Sequence, residues 1–149
     1  MMRLDLLRHG DTGRPGYLDG CTDNPLSKAG AQQMERQTEK IASRLACDLM
    51  TDPNWAEINF GLWDGRLKAD IEKTAGDREL LRAYYENPRN VALPDGERWA
   101  NFEARVRCAI EHAYKKADGR RTLVVTHAGP MRMALSIILG IPVSALWSF

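Results

Sequence analysis

The chain has 149 residues, 44% hydrophobic and 28% charged, with a formal net charge of +1. That balance suits one globular domain over residues 1–149 and gives no bulk attraction to nucleic acid or to an anionic membrane. Any anion site must therefore be local. Cys21, Cys47 and Cys108 cannot all pair and form no C-x-x-C spacing. With no signal peptide visible, a reducing cytoplasmic setting is expected. The apolar run Met131 to Ile141 is interrupted by Arg132 and is too short to span a bilayer.

In chain order, Met2 to Leu7 is short and apolar and stops at Arg8-His9-Gly10, which predicts a buried strand followed by a loop. Residues 10–25 hold four glycines and two prolines, the composition of a long surface loop. Ser27 is placed to cap a helix on which Met34, Thr38, Ile41, Leu45 and Leu49 recur. Cys47 to Thr51 reads alternatively as a short strand, closed by Pro53. Arg66 to Glu86 predicts a helix broken by Gly76, and Pro94-Asp95-Gly96 a turn.

Trp99, Phe102, Val106, Ala109, Ile110, Ala113 and Ala117 form an amphipathic stripe that Gly119 ends. Thr122 to Thr126 is continuous and β-branched, predicting a buried strand. Pro130 and Gly140 bracket a last helix. Strands separated by helices predict an α/β sandwich.

His9 and His127 share one local setting, each just after a predicted strand and each within two residues of a glycine. Ligands of open α/β sheets bind outside the carboxyl ends of strands. Two imidazoles delivered there can converge on one ligand, and the adjacent glycines allow close backbone approach. Arg8 adds a fork-shaped cation suited to phosphate. Either histidine alone is as readily an ordinary loop residue; together with Arg8 they point to an anion site.

These residues also carry a resemblance. Leu6-Leu7-Arg8-His9-Gly10-Asp11-Thr12 resembles the RHG signature of the histidine phosphatase superfamily, which includes cofactor-dependent phosphoglycerate mutase. Asp23-Asn24-Pro25-Leu26-Ser27-Lys28-Ala29-Gly30 is similar to its D-x-P-L-S/T-x-x-G segment. Trp55 to Gly65 resembles its L-x-E-x-x-F-G-x-W-E-G segment, and Val124-Val125-Thr126-His127-Ala128-Gly129 its second-histidine motif. The loop after Thr12, the Pro94-Asp95-Gly96-Glu97 turn and the ending Gly140 to Trp147 look most like the alpha-ribazole phosphatase branch.

The resemblance implies a three-layer α/β/α fold of the phosphoglycerate mutase type and a phosphomonoester hydrolase. The implied substrate is a small phosphate ester, alpha-ribazole 5'-phosphate of cobalamin assembly. A broad-specificity phosphatase, a mutase-like enzyme or an inactive phospholigand-binding member is the alternative. It implies His9 as nucleophile, Arg8 and His127 as stabilisers of the transferring group, and Glu57 as acid and then base. Thr12 and Gly129 would join Arg8 around the substrate. No metal or other cofactor is implied.

A carboxyl with the role of Glu57 benefits from a raised pKa, which Trp55, Phe60 and Trp63 are placed to supply. Outside that motif Glu57 would read as a surface carboxylate. Trp99 and Phe102 read as core, His112 as a solvated histidine, and Arg120-Arg121 as a solvated turn.

Rival chemistries lack their spacing. Metal catalysis wants further histidines or a carboxylate cluster, and the chain has three histidines. A cysteine phosphatase needs arginine six residues after its cysteine, where this chain has Ser27, Pro53 and Tyr114. Neither G-x-S-x-G nor the P-loop pattern occurs.

The chain departs from the family's pattern in an internal segment and in its ending at Phe149, where members usually continue into further strands, so a reduced fold is expected. Members carry S-P-L-x-R-x-x-Q-T, whose arginine is the second guanidinium of the pocket. Here Gln37-Thr38 resembles its tail, but Met34 stands where the arginine would fall. Only Ala31 to Arg36 separate Gly30 from Gln37, so a loop, a strand and the arginine are missing and the sandwich is expected to be reduced. Arg36 is the nearby candidate to replace that arginine, and residues 30–38 are expected to run as one helix unless two pieces of chain are joined there.

Overall fold

A computed structural model describes residues 3–42 and 50–147, with the side chains of 38–42 and 144 left aside. Strand β1 (Arg3–Arg8) lies parallel to β4 (Arg121–Thr126), in a register that sets Arg3 opposite Arg121 and Arg8 opposite Thr126. Parallel strands need a crossover, and here most of the chain is that crossover. The amide of His9 continues the ladder to the carbonyl of Thr126 at 2.9 Å. Both strands therefore end at one level.

The loop expected over residues 10–25 is not wholly irregular. It contains β2 (Tyr17–Leu18), which pairs antiparallel with β3 (Arg66–Leu67). The two partners lie far apart in sequence, so local composition carried no sign of the pairing. Ser27 caps α1 (Lys28–Ala42) as expected, its hydroxyl accepting from the amide of Gly30 at 3.0 Å. That helix runs unbroken through residues 30–38. The alternative strand at Cys47 to Thr51 lies mostly outside the described residues.

The helix expected over Arg66–Glu86 is divided earlier than Gly76. After β3 come α2 (Lys68–Ile71) and α3 (Ala75–Glu86), so Gly76 sits inside the first turn of α3. Buried Ile71 and the pairing of β3 with β2 fix the turn there, a tertiary choice over a glycine's weak preference.

Helix α4 (Trp99–Ala117) buries Trp99, Phe102, Val106, Ala109 and Ala117, five of the seven stripe positions. It ends at Asp118 and Gly119, both left-handed. Helix α5 (Ala128–Leu139) starts at His127 and stops at Gly140 (φ 68°), with Pro130 in its first turn where a missing N–H is tolerated. Trp63, Phe102, Ile58, Ile71, Leu81 and Met133 are the largest of the fully buried side chains, and Leu4, Leu6 and Val124 pack against the core from one face of the strand pair.

The other face corrects the buried-strand expectation. Leu123 is 36% and Val125 49% exposed, so β4 alternates instead of being covered on both sides. Among the described residues β1 and β4 are a two-stranded sheet. A continuous apolar run permits burial on two faces but does not provide the second layer. The chain is α/β, as expected, and no described helix is long and apolar enough to cross a membrane.

Candidate active site

The common end of β1 and β4 places His9 and His127 side by side, their ring centroids 4.8 Å apart and tilted by 60°. Both line a cavity of about 610 Å³ together with Arg8, Thr12, Glu57 and Gly129. Six of the seven residues expected at the site thus share one cavity. Arg36 does not: it is exposed on α1, and its Nε donates to the carbonyl of Gln32 at 3.1 Å. Its position on the helix was legible, but the direction of that helical face was not.

Nδ1 of His9 lies 2.7 Å from the carbonyl oxygen of Gly10. A carbonyl only accepts, so Nδ1 is the nitrogen that donates, and in the neutral ring the lone pair is on Nε2. His127 is half-buried. Burial first, then the nearby His9, Arg8 and Arg105, push its pKa below the ordinary histidine value, which favours the neutral ring.

Glu57 is held by backbone amides. Its Oε1 accepts from the N–H of Ile58 at 2.9 Å and its Oε2 from the N–H of Gly129 at 3.0 Å, in the first turn of α5. Burial raises its pKa. The two amides and the Arg132 and Arg105 charges act the other way without overcoming it. The direction agrees with the sequence expectation. Its sources do not fully agree, since Phe60 lines the cavity while Trp55 and Trp63 turn into the core.

The glycines also serve a different end from the expected approach to a ligand. A Cβ on Gly129 would stand 1.9 Å from Oε1 of Glu57. A Cβ on Gly10 would stand 2.4 Å from the carbonyl oxygen of Gly30. Each glycine makes room for another part of the chain, the first for a carboxyl and the second for the start of α1.

Several residues around the cavity escaped the sequence reading. Trp99 and Phe102 are core residues, as read, but also line the cavity. Tyr85, Arg132 and Trp147 form a wall. Nε1 of Trp147 donates to the carbonyl of Tyr85 at 2.8 Å, and Nε of Arg132 to the carbonyl of Leu146 at 3.0 Å. Arg14 lines it too, bonded to Asp19 at 3.0 Å and stacked 3.8 Å above the ring of Tyr17.

Asp64 holds the stretch that brings Gly20 and Thr22 to the cavity lining. Its carboxylate takes the amides of Gly20, Cys21 and Thr22 at 3.2, 2.8 and 2.9 Å and the Thr22 hydroxyl at 2.5 Å. Burial works to raise its pKa, yet the Thr22 hydroxyl and the amides of Cys21, Thr22 and Phe60 hold it below the usual value. Among the described residues no three His, Cys, Asp or Glu side chains gather as a metal-ligand set.

A family model described as the histidine phosphatase superfamily (branch 1) matches residues 35–149. The chain is 28% identical to "Probable phosphoglycerate mutase GpmB" of Enterobacter sp. (strain 638), over 97% of this chain and 78% of that protein. It is 27% identical to "Phosphoserine phosphatase 1" of Hydrogenobacter thermophilus, over 100% and 82%. These alignments run over 171 and 175 positions, more than the 149 residues present, so both relatives carry residues inside the matched region that this chain lacks. Its fold is similar to Bacillus stearothermophilus YhfR (TM-score 0.86, 24% identity, 100% and 85% of the two chains). It is also similar to an alpha-ribazole phosphatase from Shigella flexneri (TM-score 0.77, 24% identity, 99% and 85%).

Proposed function

This chain belongs to the histidine phosphatase superfamily, and we propose that it hydrolyses a small phosphate monoester through a phosphohistidine on His9. The observation that carries the reading is the His9 ring, whose Nδ1–H is committed to Gly10 while Nε2 remains a nucleophile beside His127 and Arg8. Nε2 attacks phosphorus as the ester P–O bond breaks. Arg8 and one N–H of His127 meet the nonbridging oxygens, where charge is redistributed in the transfer.

Glu57, whose raised pKa keeps a proton available, protonates the departing oxygen. The carboxylate so formed takes a proton from water, which attacks the phosphorus of phospho-His9 and releases phosphate. Thr12 and the Gly129 region border the phosphate end. No metal or organic cofactor enters these steps.

The substrate proposed is alpha-ribazole 5'-phosphate. The cavity volume exceeds what a phosphate group fills, and Tyr85 and Trp147 bring aromatic rings to its lining, against which a flat heteroaromatic leaving group would pack. A broad-specificity phosphatase or a mutase-like enzyme uses the same steps. A reading of another class, a phospholigand binder with little turnover, draws on the residues missing relative to both aligned proteins and on the outward-facing Arg36.

Phosphate release from p-nitrophenyl phosphate and from alpha-ribazole 5'-phosphate, with acid-labile phosphohistidine measured alongside, tests the proposal. Turnover that survives chelators, a phosphorylated His9 and loss of both in His9→Ala are expected. Binding of the esters without release or phosphoenzyme would establish the binder, and activity restored only by a divalent metal would overturn the mechanism.

A further inference from the structure

Glu57 sits in a segment with no strand or α-helix of its own. Only a single turn of 3-10 helix (Pro53–Trp55) precedes it. Buried backbone carbonyls need partners, and irregular segments must find them in side chains. Here four consecutive carbonyls do so. Nη1 of Arg105 donates to the carbonyls of Asn54 and Ala56 at 2.9 and 2.7 Å, and Nη2 to the carbonyl of Glu57 itself at 2.8 Å. The hydroxyl of Thr126, next to His127, donates to the remaining carbonyl, that of Trp55, at 2.5 Å.

Arg105 is in turn fixed by Glu97. Its Nε and Nη2 donate to the two Glu97 oxygens at 2.7 and 2.9 Å. All five N–H groups of the guanidinium are thereby used. Glu97 reaches the far side of the segment, where its Oε2 accepts from the amide of Asn59 at 3.4 Å. The pair is largely buried, with 20% and 16% of the two side chains exposed.

We propose that Arg105, held by Glu97, is the positioning residue for the general acid Glu57 in the reaction proposed above, on which this inference rests. Arg105 touches no reacting atom. It fixes the backbone on either side of Glu57, so that the carboxyl meets the Gly129 amide at the edge of the phosphate site. A shift of about 1 Å in a reacting group costs on the order of 10²-fold in rate. Lysine at this position keeps a charge but has three donors on one atom and cannot span three carbonyls and a carboxylate.

The step at risk is proton transfer, which gives the test its selectivity. An alkoxide leaving group needs the proton of Glu57, whereas p-nitrophenolate departs without it. Hydrolysis of phospho-His9 needs Glu57 as base for every ester. In Arg105→Lys, single-turnover phosphorylation of His9 should therefore fall about 10²-fold with an alkyl phosphate and less than about 3-fold with p-nitrophenyl phosphate. Phosphoenzyme should also build up in the variant on the aryl ester.

Equal losses on both esters, or no loss on either, would overturn the inference and leave Arg105 a support of the fold. Should Arg105→Lys fail to fold, Glu97→Gln decides, because it loosens the same clamp while keeping its shape; the same selectivity is expected at reduced size. Failure of the proposed function looks different, since the unaltered chain would then form no phosphohistidine on any ester.

Discussion

Around Glu57 four consecutive carbonyls are bound by two side chains, and both carboxyl oxygens are met by amides. On the outer face of the β1–β4 strand pair, Leu123 and Val125 are exposed. The first region is irregular in backbone yet fixed at nearly every polar group. The second is regular in backbone yet lacks the packing that apolar side chains would gain under a second layer. Regular secondary structure is thus no guide to where this molecule is most constrained. The Glu57 segment is constrained by hydrogen bonds that each name one partner, while the outer face is constrained by little besides the ladder.

The largest expected effect breaks the first region at its centre. Glu57→Gln should slow turnover of an alkyl phosphate by on the order of 10²–10⁴-fold, the usual worth of a general acid. It should also flatten the pH dependence of stability. Because the folded pKa of Glu57 is raised, the folded chain holds this proton where the unfolded chain has lost it. Glu57 therefore lowers stability as pH rises from the ordinary carboxyl value through the raised one. Urea titrations of both proteins across pH 4–8 check this; parallel curves would show that Glu57 is not held in its neutral form.

Next in size is Asp64→Asn, which replaces an acceptor of four amides and a hydroxyl by a group that turns one donor toward them. A cost of about 1–3 kcal/mol in denaturant unfolding is expected. The sign with pH is opposite to that of Glu57. The folded pKa of Asp64 is lowered, so its contribution is present above the ordinary carboxyl value and is lost as pH falls through the lowered one. The variant should differ most from the parent near neutrality and least in strong acid.

The smallest effect belongs to the outer face. Val125→Thr should change stability by no more than about 0.5 kcal/mol, as for other exposed positions. A loss near the 2–5 kcal/mol of a core truncation would mean that this face is packed in solution and would erase the contrast with the Glu57 segment.

Much of the site could be read from the chain because its signals are local. Arg8-His9-Gly10 and His127-Ala128-Gly129 each follow an apolar strand, and the parallel register turns two such endings into one rim. Arg105 was less legible. It lies three positions after Phe102, at the border of the apolar stripe on α4, with its guanidinium carbon 4.8 Å from that ring. A charge at such a border usually faces water, and nothing in its neighbourhood indicates carbonyls 48 to 51 residues away.

The sequence by itself determined the α/β alternation, the Ser27 and Gly140 helix boundaries, the stripe of α4 and six of the residues that line the cavity. Each rests on periodicity, capping or a motif, which are properties of neighbouring residues. Only the tertiary structure decided that β2 pairs with β3, that Arg36 lies exposed outside the cavity and that Arg132 and Trp147 wall it. It also decided that β4 is covered on one face and that Arg105 carries the backbone of Glu57. Those outcomes depend on which distant groups remain to satisfy a buried carbonyl or cover an apolar face, and that is settled only once the chain has closed on itself.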